Sequence, residues 1–298
     1  PPRAPTRPDP ARAQKKKKRW KEAVALLEEM IAGGPKLAPS VVSYNSAITA
    51  CARCNKMAPA LRLLGEMSSR SGLGPDLYSY AAVMSGVARA RDPQRALRLL
   101  EEMRASGVEP DTVCLAAAME ACERSGASGE AAEVLEQVRA LDPPPSTETL
   151  ADILTSAIRA CVSGGAWEQA TDWLTDVRMA NGGGLPSAAA YAAAANACAR
   201  AGQGVRARAL VAELEGGGSG RGNGEAQRPT VECYNAVVLG FAMTGDMKGA
   251  LQTLKEDVPR AGLKPNTEGF NHAIQGYARL KDWRMALTLL DEQRSGER

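Results

Sequence analysis

The sequence predicts an all-α chain folded as an α-solenoid, a right-handed superhelix of helical hairpins. Three observations predict it: a marker dipeptide at near-regular spacing, an alanine recurring at one fixed place, and a composition suited to helices packed through small residues. The dipeptide is Pro followed by a residue that caps helix N-termini, at Pro39-Ser40, Pro75-Asp76, Pro110-Asp111, Pro145-Ser146, Pro186-Ser187, Pro229-Thr230 and Pro265-Asn266. Successive prolines lie 36, 35, 35, 41, 43 and 36 residues apart, within the 20–50 residue range that marks repeat architectures. Proline disfavours α geometry in the residue before it, and the side-chain oxygen that follows accepts from the first free amides of the next helix. Of the 298 residues 44% are hydrophobic but only 4% aromatic, a balance that favours helices over a β-sandwich core.

Each element follows in chain order. Residues 1–19 are expected to form a disordered basic arm, rich in Pro, Arg and Lys; the tail of an organelle transit peptide is the alternative. The arm holds eight basic residues and one acid, a surplus of seven, so a chain of net charge +3 is net −4 beyond it. Bulk charge therefore gives no indication of nucleic acid. Lys15 to Lys18 and Arg19 could attract phosphate, or could simply be solvated. The solenoid itself is expected over 20–298. It opens with the stripe Trp20, Ala23, Leu26 and Leu27, the second helix of a half repeat, and continues through seven repeats starting near Val41, Leu77, Thr112, Ala151, Ala188, Val231 and Thr267, the last cut short.

Within a repeat, the fourth residues (Tyr44, Tyr80, Leu115, Leu154, Tyr191, Tyr234, Phe270) and the eighth (Ile48, Met84, Met119, Ile158, Ala195, Val238, Ile274) share one helical face. The twentieth residue is Ala60, Ala96, Ala131, Ala170, Ala207, Ala250 or Ala286, small enough for two antiparallel helices to approach closely. The longer spacings come from insertions: Thr147 to Leu150 at a helix start, Gly182 to Gly184 in a turn, and a flexible Gly-rich loop over 216–226.

Stretches such as Val41 to Ile48 (VVSYNSAI), Ala96 to Asp111 (ALRLLEEMRASGVEPD) and Val231 to Val238 (VECYNAVV) resemble the pentatricopeptide repeat, a helical hairpin of about 35 residues. Tetratricopeptide units also carry Ala at the twentieth place, but they put Gly at the eighth, which no repeat does here. The resemblance implies a single-stranded RNA-binding protein, with one base read per repeat by the fifth residue and the last residue before the next repeat. The fifth residues are Asn45, Ala81, Ala116, Thr155, Ala192, Asn235 and Asn271; the partner positions are Asp76, Asp111, Ser146, Ser187, Thr230 and Asn266. Asn45 with Asp76 is similar to a uracil-preferring pair and Asn235 with Asn266 to a pyrimidine-preferring one. An Asn amide offers a donor and an acceptor to an unstacked base edge, which the methyl group of Ala81, Ala116 or Ala192 cannot do.

The resemblance also assigns the second residue of each repeat to an aliphatic wall between bases. Val42 and Val113 fit and Tyr78 could stack, whereas Asp152, Glu232 and Glu268 place acid beside a phosphate path. Independently of the family, the thirteenth residue is Arg53, Arg89, Arg124, Arg200 or Arg279 in five repeats, a stripe suited to phosphates; complementing the helix macrodipole is the competing explanation.

Cys51 and Cys54 form a CxxC, but Cys51, Cys122, Cys161 and Cys198 share the eleventh place and Cys114 and Cys233 the third, which marks packing positions rather than a metal site. The seven cysteines look reduced, and His272 is the single histidine. The expectation is a binding module and not an enzyme, with no cofactor, metal, membrane span or small-molecule substrate. The family implies mitochondrion or chloroplast and a role in stabilising, processing or translating organellar transcripts, with other RNA-processing proteins as further partners. Two rival readings are a protein-interaction scaffold that has lost base readout and the RNA-binding arm of a larger RNA-processing enzyme.

Overall fold

The computed structural model describes residues 10–34, 37–69, 72–180, 186–217 and 228–296. All its regular elements among these residues are helical. The chain divides into two compact units, Pro1–Arg124 and Ser125–Arg298, where the sequence suggests a single array over 20–298.

In the first unit α1 (Pro10–Ala32) is followed by the hairpins α2 (Val41–Arg53) with α3 (Met57–Ser69) and α4 (Leu77–Ala90) with α5 (Pro93–Ala105), then by α6 (Thr112–Ser125). The first helix α2 packs against its own second helix α3 and against the next first helix α4, which in turn packs against α5. The basic arm is corrected in part, because residues 10–19 belong to the helical backbone of α1. Pro10 sits in its first turn, where a missing N–H costs nothing, and the Ala, Arg, Gln and Lys that follow are good helix formers. Residues 1–9 lie outside the described residues.

The second unit holds α7 (Ser128–Arg139), α8 (Thr147–Gly164), α9 (Trp167–Ala180), α10 (Ala188–Arg200), α11 (Gly204–Gly217) and α12 (Val231–Thr244). The sixth second helix is broken into α13 (Met247–Gln252), a π-helical turn over Thr253–Asp257 and α14 (Val258–Arg260); α15 (Thr267–Arg279) and α16 (Trp283–Gly296) complete the last hairpin. The insertion at Thr147 adds one turn to the start of α8, so Ser146 caps the helix a full turn ahead of the equivalent place in other repeats. Gly216 and Gly217 end α11, the rest of the 216–226 loop lies outside the described residues, and so do Gly182 to Gly184.

The core follows the repeat. Six of the seven fourth residues, six of the eighth and six of the twentieth are buried; the exceptions Phe270, Ile274 and Ala286 are half-buried and belong to the last hairpin. Cys51, Cys114, Cys122, Cys161, Cys198 and Cys233 are fully buried, and burial pushes the thiols of Cys51 and Cys198 up to about 11 and those of Cys114 and Cys161 up to about 12. Buried and held protonated well above neutrality, these thiols fill the core as small apolar groups.

One backbone requirement recurs that the sequence motifs do not announce. The fifteenth residue of every repeat is left-handed: Asn55, Arg91, Gly126, Gly165, Gly202, Gly245 and Lys281, with φ between 56° and 83°. This residue turns the chain from first helix to second, and four repeats use glycine, which bears that geometry without steric cost. The helices also touch closely. A Cβ on Gly240 would lie 2.7 Å from Gly204 Cα and 3.3 Å from Ala199 Cα, so α12 meets the α10–α11 hairpin backbone to backbone.

Candidate nucleic-acid interface

The first turn of each first helix is fixed by its cap. Ser40, Asp76, Asp111, Ser146, Ser187 and Asn266 each accept from a backbone N–H three residues on, and Thr230 alone makes no such bond. The predicted partner positions are therefore all engaged locally except Thr230, whose hydroxyl meets Cys233 Sγ at 3.6 Å.

With the cap fixed, the second residue points away from the hairpin. Val42, Tyr78, Val113, Asp152, Ala189, Glu232 and Glu268 are all exposed, and Val42, Tyr78 and Val113 are 72%, 77% and 64% accessible despite their size. The fifth residue lies one turn further in. Asn45, Ala81, Ala116 and Thr155 are half-buried, Ala192 and Asn235 are buried, and Asn271 is exposed.

Two of the proposed pairs differ sharply. Asn45 Nδ2 donates to Asp76 Oδ1 at 3.0 Å, and the fully buried Ser79 hydroxyl lies 2.5 Å from Asn45 Oδ1 and 2.8 Å from Asp76 Oδ1. Burial alone would raise the Asp76 carboxyl, but bonds from the Ser79 amide, the Ser79 hydroxyl and Asn45 together outweigh it and hold it below the ordinary value. The structure thus joins residues 31 positions apart into one oriented group. Asn45 keeps one N–H and Asp76 its second oxygen for an outside partner.

Asn235 is not joined to Asn266. Its Nδ2 donates to Glu268 Oε2 at 3.0 Å, while Asn266 Oδ1 accepts from the Gly269 amide. Each of the two is thus engaged with another residue: the Glu268 carboxylate is a strong acceptor for the Asn235 amide, and Asn266 is committed to its cap. Thr155 donates its hydroxyl to Ala151 O at 2.7 Å, so its remaining capacity is that of an acceptor. Ala81, Ala116 and Ala192 bring no polar group, and Asn271 has Asn266 only as the cap of its own helix.

Around Asn235 the structure gathers a cavity of about 290 Å³ with Asn196, Glu232, Glu268, Arg159 and His272 on its wall. His272 Nδ1 is buried there without a hydrogen bond. Ser79 and Glu268 as hydrogen-bond partners of a fifth residue went unnoticed in the sequence. The readable signal for Ser79 is the capping box Asp76-x-x-Ser79; for Glu268 it is an acid at the wall position directly after a buried Asn repeat.

All five arginines of the stripe are exposed and sit in the last turn of their helices. Arg124 pairs with Glu120 at 2.5 Å, Arg89 reaches Ser85 Oγ, and Arg279 lies against Met243 Sδ. The last-turn position suits the macrodipole reading, and the exposure leaves Arg53 and Arg200 available to solvent partners.

A family model of the PPR repeat family matches residues 39–89, and one of the PPR repeat matches residues 78–108, 232–256 and 269–292. Over those residues the chain carries pentatricopeptide repeats. These matches fall on the first two and last two repeats, three of which carry Asn at the fifth place. A comparison with curated proteins finds no match. Among solved structures, the chain is similar to the pentatricopeptide repeat protein PPR10 from maize, at 20% identity and a TM-score of 0.47 over 92% of this chain and 41% of that one. A structure of PPR10 in complex with an 18-nt psaJ RNA element is similar at 19% identity and a TM-score of 0.48, over 91% of this chain and 42% of that one. The chain spans about two fifths of the length of those structures.

Proposed function

We propose that this pentatricopeptide repeat chain binds single-stranded RNA along the first helices of its hairpins, with its base selectivity concentrated in the first repeats. The observation that carries the reading is the combination in the N-terminal unit of Val42, Tyr78 and Val113, large apolar residues left exposed at one repeated place, with the oriented Asn45–Asp76 pair one turn away. Exposed apolar side chains at repeat spacing offer stacking surfaces to successive bases. The Asn45 amide and Asp76 carboxylate offer a donor and an acceptor to one base edge, the pattern of a uracil-preferring pair. Arg53, Arg89 and Arg124 supply phosphate contacts in the same unit, and Arg200 and Arg279 in the other.

The remaining positions act with less selectivity. Ala81, Ala116 and Ala192 line the path without reading it, Asp111, Ser146, Ser187 and Asn266 serve first as caps, and Thr230 makes no cap bond. Thr155 and Asn271 contribute single polar contacts. The biological role that fits is stabilisation, processing or translation of an organellar transcript in mitochondrion or chloroplast, alongside other RNA-processing proteins. A second reading is favoured by one specific observation: Glu268 occupies the amide of Asn235, and Glu232 and Asp152 are exposed at neighbouring wall positions. On that reading the C-terminal unit holds a protein partner.

The test is binding of the full chain to a randomised single-stranded RNA pool, with matched DNA and a salt titration. Enrichment of a short pyrimidine-containing motif is expected, with Asn45→Ala eroding preference more than affinity. Absence of binding at low salt would overturn RNA recognition in favour of the protein scaffold.

A further inference from the structure

The gap between second helices of successive repeats forms a groove in both units, and the two grooves differ in chemistry. In the N-terminal unit it is a cavity of about 480 Å³ whose floor is Leu64 and Leu99. In the C-terminal unit the corresponding cavity, about 490 Å³, lies between α11 and the broken helix of the sixth repeat, and its floor is Val211 and Thr253.

Thr253 stands where the repeat calls for an apolar residue. Counted from the fixed alanine, the buried places of the second helix fall three, four and seven residues later: Leu63, Leu64 and Met67; Leu99, Leu100 and Met103; Val134, Leu135 and Val138; Leu210, Val211 and Leu214. In the sixth repeat these would be Thr253, Leu254 and Asp257. Thr253 is 1% exposed and its Oγ1 has no hydrogen-bond partner, which is destabilising unless something supplies one. The π-helical turn Thr253–Asp257 absorbs one extra residue, so that Val258 fills the buried place and Asp257 is carried to the rim of the cavity. Such single-turn π insertions are recurrent at functional sites.

At the rim Asp257 holds two guanidinium groups, Arg208 at 2.9 Å and Arg260 at 3.4 Å. Arg228 lines the same wall, and no carboxylate pairs with it among the described residues. On the far side the Tyr234 hydroxyl donates to Glu215 Oε1, which occupies that carboxylate. Three guanidinium groups thus face two carboxylates, both already bonded, with an apolar wall from Val211, Val237 and Pro229. Guanidinium forks and a hydroxyl donor match the oxygens of a phosphate, and the volume is that of a small organic ligand rather than a bare ion.

We infer that this groove is a binding site for a small phosphate monoester of nucleotide size, with Arg228 contacting the phosphate, the unpartnered Thr253 hydroxyl turning out of its buried position to meet it, and the Asp257 bridge holding Arg208 and Arg260 in place. The site joins second-helix residues to Pro229, Tyr234 and Val237 of the sixth repeat, none of which the RNA reading uses, and does not depend on that reading.

The experiment is calorimetric titration of the full chain with adenosine monophosphate and with inorganic phosphate, adenosine serving as the uncharged control. Thr253→Val removes only the hydroxyl and is a residue type the repeat accepts there, as Val134 shows; Arg228→Gln removes the free charge. Saturable binding of either phosphate probe, none of adenosine, and affinity at least about tenfold weaker in both variants is the expected result. Helical circular dichroism should be unchanged in Thr253→Val. The inference is overturned if neither phosphate probe binds saturably, or if both variants bind as the unaltered chain does, which would place nucleotide contact elsewhere.

Discussion

Replacing Glu268 with Val asks whether the C-terminal unit is held back from RNA by its own carboxylate. The substitution does three things at once: it removes a negative charge from the wall position, releases the Asn235 amide from its 3.0 Å bond, and restores the side chain that Val42 presents in the first repeat. A carboxylate roughly 7 Å from a phosphate in water costs about 0.6 kcal/mol. The bond to Asn235 must be given up before a base can use that amide, a net of about 0.5–1.5 kcal/mol. Together these predict tightening by about 1–2 kcal/mol, a roughly five- to thirtyfold lower Kd. Glu268→Gln separates the contributions, because its amide oxygen can still accept from Asn235; it should tighten binding only about threefold. Fluorescence anisotropy with a labelled pyrimidine-rich RNA at fixed ionic strength reads both. Equal or weaker binding by Glu268→Val would refute the reasoning and leave the carboxylate as part of a protein-binding surface.

The fold yields further expectations. Gly240→Ala forces a Cβ against the backbone of Gly204 and Ala199, which cannot give way, and should cost about 1–3 kcal/mol; Gly86→Ala meets the flexible end of Met57 and should be near neutral, since Ala gains about 1 kcal/mol over Gly within a helix. Thermal melts compare the two, and equal losses would contradict the packing. Lys281→Gly at φ 60° should raise the melting temperature, and Gly126→Ala at φ 75°, with Ser163 Cβ 2.4 Å from the added atom, should lower it. The Asp76 carboxyl is held below its unfolded value, so its contribution is complete above about pH 4 and is lost as pH falls through the lower folded pKa. Asp76→Asn should therefore be less stable than the parent at pH 6, with the difference shrinking under acid; a difference that grows instead would reverse the sign. Cys54 is the one thiol not fully buried, so native protein should show one fast equivalent with a thiol reagent at pH 8 and six slow ones.

How much could be read in advance depends on what each position answers to. Helix starts were legible because Pro plus a capping side chain is a local signal, and the starts at Val41, Leu77, Thr112, Ala188, Val231 and Thr267 coincide with those of the structure. The insertion at Thr147 was legible as an extension of a helix start, and the structure shows it as an added turn that displaces Ser146 from the place other partner residues hold. The left-handed turn residue was hidden because three repeats fill it with Asn55, Arg91 and Lys281, so no glycine period stands out. Pairings were the least legible. Asn45 and Asp76 lie close because two caps and two helices agree, whereas Asn235 has Asn266 and Glu268 in reach, and which it bonds depends on the acceptor's charge and on what the cap already uses.

That last contrast bears on how such a chain can change its partner without changing its fold. The buried places tolerate only apolar or small residues, and the turn place only what survives a positive φ, so substitution there costs stability. The second place is exposed in every repeat and the fifth is exposed or half-buried in five of the seven, so both are freer of those constraints. One acid at the second place is enough to engage an otherwise competent Asn across two repeats, as Glu268 engages Asn235 while Asn45, with Tyr78 at the corresponding place, remains paired with Asp76. Base readout should therefore be lost repeat by repeat, through single surface substitutions, while the hairpins stay intact. Binding measured on repeats altered one at a time should show selectivity changing in discrete steps at unchanged helical content, and a coupled loss of both would mean that the outward face is part of what holds the hairpins together.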